Sequence, residues 1–174
     1  MSNEAHDVVD SEGWRLTPAD AGDFDELMRW FRTADDVKTW GGPRFRFPFS
    51  RATFREDCHW PGMATYVLRD TASELVAFGQ FYNRSGRINF ARLVAHPNRR
   101  GQGIGRRLLE GLMRVSPAQF DLDEFSLFVY RDNMPALCCY ESMGFEIQDY
   151  PPDQILADEC FYLTRPIIAA ETAT

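Results

Sequence analysis

Lysine is almost missing from this chain of 174 residues: Lys38 stands alone, so nearly all the positive charge is arginine. Histidine is scarce too. His6, His59 and His96 are scattered with no second ligand at metal spacing, which argues against a zinc site. No cysteine pair has CxxC spacing, and a bridge between the adjacent Cys138 and Cys139 would strain the helix that their surroundings predict. Cys58, Cys138, Cys139 and Cys160 therefore read as buried free thiols of a reducing cytosol. No stretch approaches the roughly 18 uninterrupted apolar residues of a membrane span. Met1 to Gly13 is polar and acidic, without the basic-then-apolar order of a secretory leader, so a cytoplasmic location is expected. Basic residues number 19 against 26 acidic ones, and a net charge of −7 argues against a general partner for nucleic acid or anionic membrane. Disorder as the main state is excluded by composition, since 44% of the residues are hydrophobic and 14% aromatic.

What is present reads as one domain, because a chain of this length fits the roughly 150 residues of a single core. Residues 1–12 and 168–174 are polar or small and are expected to be flexible tails around a domain spanning 13–167. Trp14 to Leu16 predicts a short strand. Thr17 as cap, Pro18 at the first helical position and Asp20 in the first turn then predict a helix with Phe24, Leu27, Met28 and Phe31 on its buried stripe. From Thr33 to Pro61 the chain is irregular and aromatic, broken by Gly41-Gly42-Pro43 into one short helix and a second starting after Ser50. Thr65 to Arg69, Leu75 to Tyr82 and Ile88 to Ala95 predict three strands whose short connections imply an antiparallel meander. Ile104, Leu108, Leu109, Leu112 and Met113 mark an amphipathic helix, Phe125 to Tyr130 a strand, and Met134 to Met143 a helix stopped by Gly144. Phe145 to Ile147 and Cys160 to Leu163 supply the last strands. The expectation is an α/β (α+β) domain: a mixed, mostly antiparallel sheet of about six or seven strands flanked by about four helices.

The segment with the most chemical content runs from Leu93 to Arg106, LVAHPNRRGQGIGR. A strand ends, glycines alternate with other residues, and an amphipathic helix begins. Glycines let backbone approach a ligand closely, and the first free amides of a helix aim positive charge at an anion. Arg100 and Arg106 can add charge-assisted hydrogen bonds to phosphate. The dinucleotide fingerprint fails because Arg106 occupies its third glycine position, and the P-loop fails because no GK[ST] follows. What survives is R-x-x-G-x-G at Arg100, Gly103 and Gly105.

That stretch resembles the acetyl-CoA motif of the Gcn5-related N-acetyltransferase (GNAT) superfamily. A second segment agrees: Asn133, Ala136, Tyr140, Gly144 and Phe145 match the superfamily's N-x-x-A-x-x-x-Y-x-x-x-G-F pattern. The likeness extends from about Trp14 to Pro166, and it implies the GNAT fold. It also implies a set of roles. Main-chain groups of Leu93, Val94 and Ala95 would bind pantetheine. Arg100, Gly101, Gln102, Gly103, Ile104 and Gly105 would take the CoA pyrophosphate, with Arg106 as an addition. Asn133 would contact CoA, and Tyr140 would be the general acid for the departing thiolate. The implied cofactor is acetyl-CoA, with no metal.

The chemistry has three needs: a neutral amine, a donor for the developing oxyanion near Val94 or Ala95, and a proton for the leaving sulfur. The first has no assigned residue. Several relatives place a glutamate on the fourth strand, whereas Ile88 to Leu93 holds no carboxylate. Asp121, Asp123 and Glu124, and Asp35 and Asp36, are the carboxylates left for that task. The aromatic segment Trp30 to Trp60 is expected to wall the acceptor pocket. The leading reading is an N-acetyltransferase of small-molecule amines. A peptide or protein N-terminus and a lysine side chain stay open as acceptors, and a non-catalytic acyl-CoA-binding module is the rival class. No nucleic acid or membrane partner is expected, and monomer and homodimer are both compatible with the sequence.

Overall fold

The structure, a computed structural model, describes residues 7–172. One eight-stranded sheet organises it, in the order β1-β2-β3-β4-β5-β6-β8-β7. The strands are β1 (Val8–Val9), β2 (Arg15–Pro18), β3 (Ala64–Arg69), β4 (Leu75–Arg84), β5 (Arg87–Ala95), β6 (Glu124–Tyr130), β7 (Glu146–Gln148) and β8 (Cys160–Pro166). The helices are α1 (Ala21–Leu27), α2 (Ala34–Gly41), α3 (Arg51–Asp57), α4 (Ile104–Val115), α5 (Met134–Ser142) and the single turn α6 (Ala169–Thr172). Every neighbouring pair of strands is antiparallel except β5 and β6. The mixed, mostly antiparallel sheet is as expected; it has more strands and helices than the sequence suggested.

Alternation along the strands feeds two cores, one on each face. Tyr66 and Leu68 point into a core shared with Leu108, Leu112 and Phe125, which α4 covers. Val67 and Phe78 point the other way, into an aromatic core with Phe24, Phe31 and Phe54. Gly79 lets α4 approach the sheet closely: a Cβ there would meet Leu112 Cδ1 and Leu93 Cδ2 at 2.8 Å each.

Several local expectations need correction. The start of the first helix lies later than Thr17. β2 runs on through Pro18, which pairs with Tyr66. The helix is capped by Asp20, whose side chain accepts from the Gly22 and Asp23 amides while Asp23 accepts from the Asp20 amide. The tail expected over residues 1–12 is part of the fold from Val8 onward: Val8 pairs with Leu16 and Val9 with Arg15. Asp10 accepts from the Glu12 and Trp14 amides and, with Glu12, holds Arg107, which also stacks over Trp14. At the other end Ile168 begins no loose tail, since Glu171 accepts from its amide and pairs with Arg165 at 2.7 Å. Residues 1–6 and 173–174 of those two expected tails lie outside the described residues. Of the four thiols, Cys58 and Cys160 are buried as expected, whereas Cys138 is exposed and Cys139 half-buried on α5. Among the described residues no helix is long and apolar enough to cross a membrane.

Candidate active site

The sheet opens where its parallel pair stops. β5 and β6 are in register at Ile88 with Phe125, Asn89 with Ser126 and Phe90 with Leu127, and not beyond. From Ala91 to Ala95 strand β5 still follows β4, with Ala91 opposite Gln80, Val94 opposite Phe78 and Ala95 opposite Ala77. Its other edge is therefore free of β6, and a cleft of about 420 Å³ lies between the parted strands. Leu93, Asn133 and Tyr140 line it, together with Phe128 to Tyr130 of β6, the Trp40 to Pro43 segment at the end of α2, and Tyr150, Ile155 and Leu156.

A bulge shapes the β5 wall. The register steps from Phe78–Val94 to Gln80–Ala91, so Arg92 and Leu93 together face Gly79. Arg92 takes a left-handed φ of 51° there, and Trp40 Nε1 donates to its carbonyl at 2.7 Å, tying α2 to the bulge. The Arg92 side chain donates to Gln80 Oε1 at 2.9 Å and reaches the Met63 sulfur at 3.7 Å.

The glycine loop follows. Gly101 and Gly103 have φ of 76° and 73°, and a Cβ on Gly101, Gly103 or Gly105 would meet nothing within 4 Å. Gly103 is the N-cap of α4, and no side chain caps that end, so the first amides of a 12-residue helix have no side-chain acceptor. A left-handed, unfilled, uncapped turn at a helix N-terminus fits a pyrophosphate, which needs backbone donors at close approach. Ile104 is buried beneath it and anchors the helix. Arg100 is exposed at the rim. Gln102 accepts from Arg99 at 3.1 Å, and Arg99 pairs with Asp70 at 3.1 Å, bracing the loop to the β3–β4 turn. Arg106 lies along α4 to Glu110 at 2.9 Å and bridges to Ser142 Oγ at 3.0 Å, so its guanidinium is engaged between α4 and α5.

On α5, Asn133 caps the helix, its Oδ1 accepting from the Ala136 amide at 3.4 Å. Tyr140 keeps part of its surface toward the cleft, and burial pushes its phenol well above the usual tyrosine range. Tyr130 Oη is buried on the same side without a hydrogen-bond partner. The carboxylates named as possible bases do not line the cleft. Glu124 pairs with Arg87 where β6 begins, and Asp36 is spent on capping α2, accepting from the Arg32 and Thr33 amides. The segment Trp30 to Trp60 does supply a wall through Trp40, Gly41, Gly42, Pro43 and His59, while Phe31, Phe45 and Phe54 pack inward.

Sequence reasoning missed Arg92, Arg84 and Tyr130 as cleft residues. An arginine amid the apolar run from Phe90 to Ala95 was the visible sign for Arg92. The bulge that turns it was not visible.

Residues 34–145 match the family model described as the acetyltransferase (GNAT) family. Among solved structures, spermidine N-acetyltransferase from Vibrio cholerae in complex with CoA and spermine superposes with a TM-score of 0.71 at 18% identity, covering 91% of this chain and 97% of that one. The ribosomal-protein-S18-alanine N-acetyltransferase from Escherichia coli gives 0.60 at 20% identity, over 92% and 99% of the two chains. PaiA N-acetyltransferase from Thermoplasma acidophilum in complex with coenzyme A gives 0.66 at 15% identity, over 88% and 99%. These likenesses are of fold.

Proposed function

The chain belongs to the acetyltransferase (GNAT) family, and from that premise we propose that it moves an acetyl group from acetyl-CoA to the primary amine of a small molecule by direct attack in a ternary complex. The observation that carries this reading is the free edge of β5 at Ala91 to Ala95, opening on a cleft whose far wall holds Asn133 and Tyr140. Acetyl-CoA, when bound, supplies the activated acetyl thioester. The uncapped amides from Gly103 to Gly105, with Arg100 at the rim, would hold its pyrophosphate, and the Leu93 to Ala95 backbone would pair with the pantetheine arm. Transfer forms a bond from nitrogen to the acetyl carbon and breaks that carbon's bond to sulfur. One proton leaves nitrogen and one reaches sulfur. Tyr140 gives the second. No side chain is assigned to the first, and water in the open cleft takes it.

A cleft of about 420 Å³ suits a small acceptor better than a folded protein surface. The test is to incubate the protein with acetyl-CoA and a panel of amines and to follow free thiol. Acceptor-dependent thiol release is expected, with a CoA-induced rise in Tm. A protein that binds CoA yet releases no thiol with any amine is instead a non-catalytic acyl-CoA-binding module, the reading favoured by a cleft without a carboxylate. If CoA does not bind at all, both readings fall.

A further inference from the structure

Several arginines of this acidic protein meet carboxylates: Arg69 meets Asp23, Arg87 meets Glu124, Arg99 meets Asp70 and Arg165 meets Glu171. The cleft differs from those four places. Arg84 and Arg92 line it, and among the described residues no aspartate or glutamate does. Arg84 donates to Tyr82 Oη and Gln154 Oε1 and lies over the Phe128 ring at 4.5 Å, all neutral partners. Arg92 has only the Gln80 amide oxygen and the Met63 sulfur. Its Nε is buried with no partner. Asp57 acts on Arg92 through space, but that carboxylate is taken by Arg46, which donates from its amide, Nε and Nη2.

A guanidinium cannot shed its charge, so a half-buried one without a counter-ion is destabilising. Arg92 carries the added strain of a left-handed non-glycine backbone, held by the Trp40 hydrogen bond to its carbonyl. Both features persist together on the wall of the cleft. A polyamine would bring further positive charge to a cleft already holding two cations, and a peptide N-terminus would bring no adjacent anion. An amino carboxylate brings the missing charge in a planar form that matches the arginine fork. Trp40, Met63, Phe128 and Ile155 offer its side group an apolar bed.

We propose that Arg92, seconded by Arg84, is a carboxylate subsite, and that the acceptor is an amine carrying a carboxylate and an apolar body, an amino acid rather than a polyamine. This rests on the acetyltransferase reading above.

The experiment uses matched acceptors on the whole protein: phenylalanine against phenethylamine and phenylalanine amide, tryptophan against tryptamine, with spermidine as the polycation. Each amino acid is expected to exceed its carboxylate-free partner at least tenfold in kcat/KM. In Arg92→Gln that ratio collapses toward one while the KM for acetyl-CoA holds, and Arg92→Lys recovers part of it. Greater activity on tryptamine, phenethylamine or spermidine overturns the subsite while leaving the acetyltransferase reading intact. Should no acceptor turn over, calorimetry with N-acetylphenylalanine and N-acetylphenethylamine, with and without CoA, still decides. Tighter binding of the carboxylate, lost in Arg92→Gln, upholds the subsite even if catalysis fails. Equal or absent binding of the two refutes it, and an Arg92→Gln protein that does not fold leaves the wild-type comparison to decide alone.

Discussion

Tyr140 can return a proton to a leaving thiolate only while its phenol is protonated, and its surroundings secure that state. Burial raises its pKa, so the proton is retained to higher pH than on a free tyrosine. The sign follows: no loss of rate from Tyr140 ionisation is expected up to about pH 9, since an ordinary tyrosine titrates near 10. Tyr140→Phe should lower kcat by roughly 100-fold or more, the range of a lost general acid, with little change in the KM for acetyl-CoA. Steady-state kinetics across pH check both statements, and an unchanged kcat would leave Tyr140 a packing residue against Phe145, whose ring lies at 6.3 Å. The neighbouring cysteines serve as controls. Cys138 is exposed, and burial pushes the half-buried Cys139 thiol up, away from the thiolate a nucleophile needs. Cys138→Ala and Cys139→Ala are therefore expected to retain activity. At this scale Tyr140 and Asn133 were legible, because a motif fixes their spacing on one helix. Arg92 was not legible as a cleft-lining group. Strict strand alternation assigns each side chain a face, and one bulge at Gly79 undoes the assignment.

Elements were legible where one periodicity ruled. The apolar stripe from Ile104 to Met113 has no competing reading, and α4 spans Ile104–Val115. Around Thr17 two capping residues compete three positions apart, and local chemistry cannot choose between them. Pairing of Thr17 and Pro18 with β3 chooses, leaving the cap to Asp20. The start of α4 carries a prediction of its own. At Gly103 an added methyl group meets nothing within 4 Å, so Gly103→Ala should cost only the left-handed backbone strain, about 1–2 kcal/mol. CoA affinity should fall more steeply, by tenfold or more, because the methyl occupies the space over the helix amides. Gly105→Ala has no positive φ to lose, so its stability should hold while CoA affinity falls. Thermal melts beside CoA calorimetry separate the two effects, and parallel losses in both variants would refute an anion site at this turn.

Across the whole molecule the sheet keeps two tasks apart. The face under α4 supports the glycine loop, whereas the aromatic face under α1, α2 and α3 supports the acceptor side of the cleft. The mixed, mostly antiparallel sheet followed from pattern and motif. The eighth strand escaped because two residues, Val8–Val9, carry no period to detect. The charge of the cleft escaped for a different reason: its walls come from segments as far apart as Thr39 and Cys160, so a net charge of −7 hides a lining whose charged groups are arginines. Trp40 joins the aromatic core to that lining. Its ring stacks on Phe31 at 4.4 Å and Phe54 at 5.6 Å, and its Nε1 holds the Arg92 carbonyl. Trp40→Phe keeps an aromatic ring and removes the donor, leaving a half-buried carbonyl unsatisfied at a cost of about 1–3 kcal/mol. The loss should appear as a Tm lowered by roughly 2–12 °C and an acceptor KM raised several-fold. CoA affinity should stay where it was, because the glycine loop is built on the opposite core. If CoA affinity falls in step with acceptor affinity, the two faces are coupled through β5, and the division of labour across the sheet is wrong.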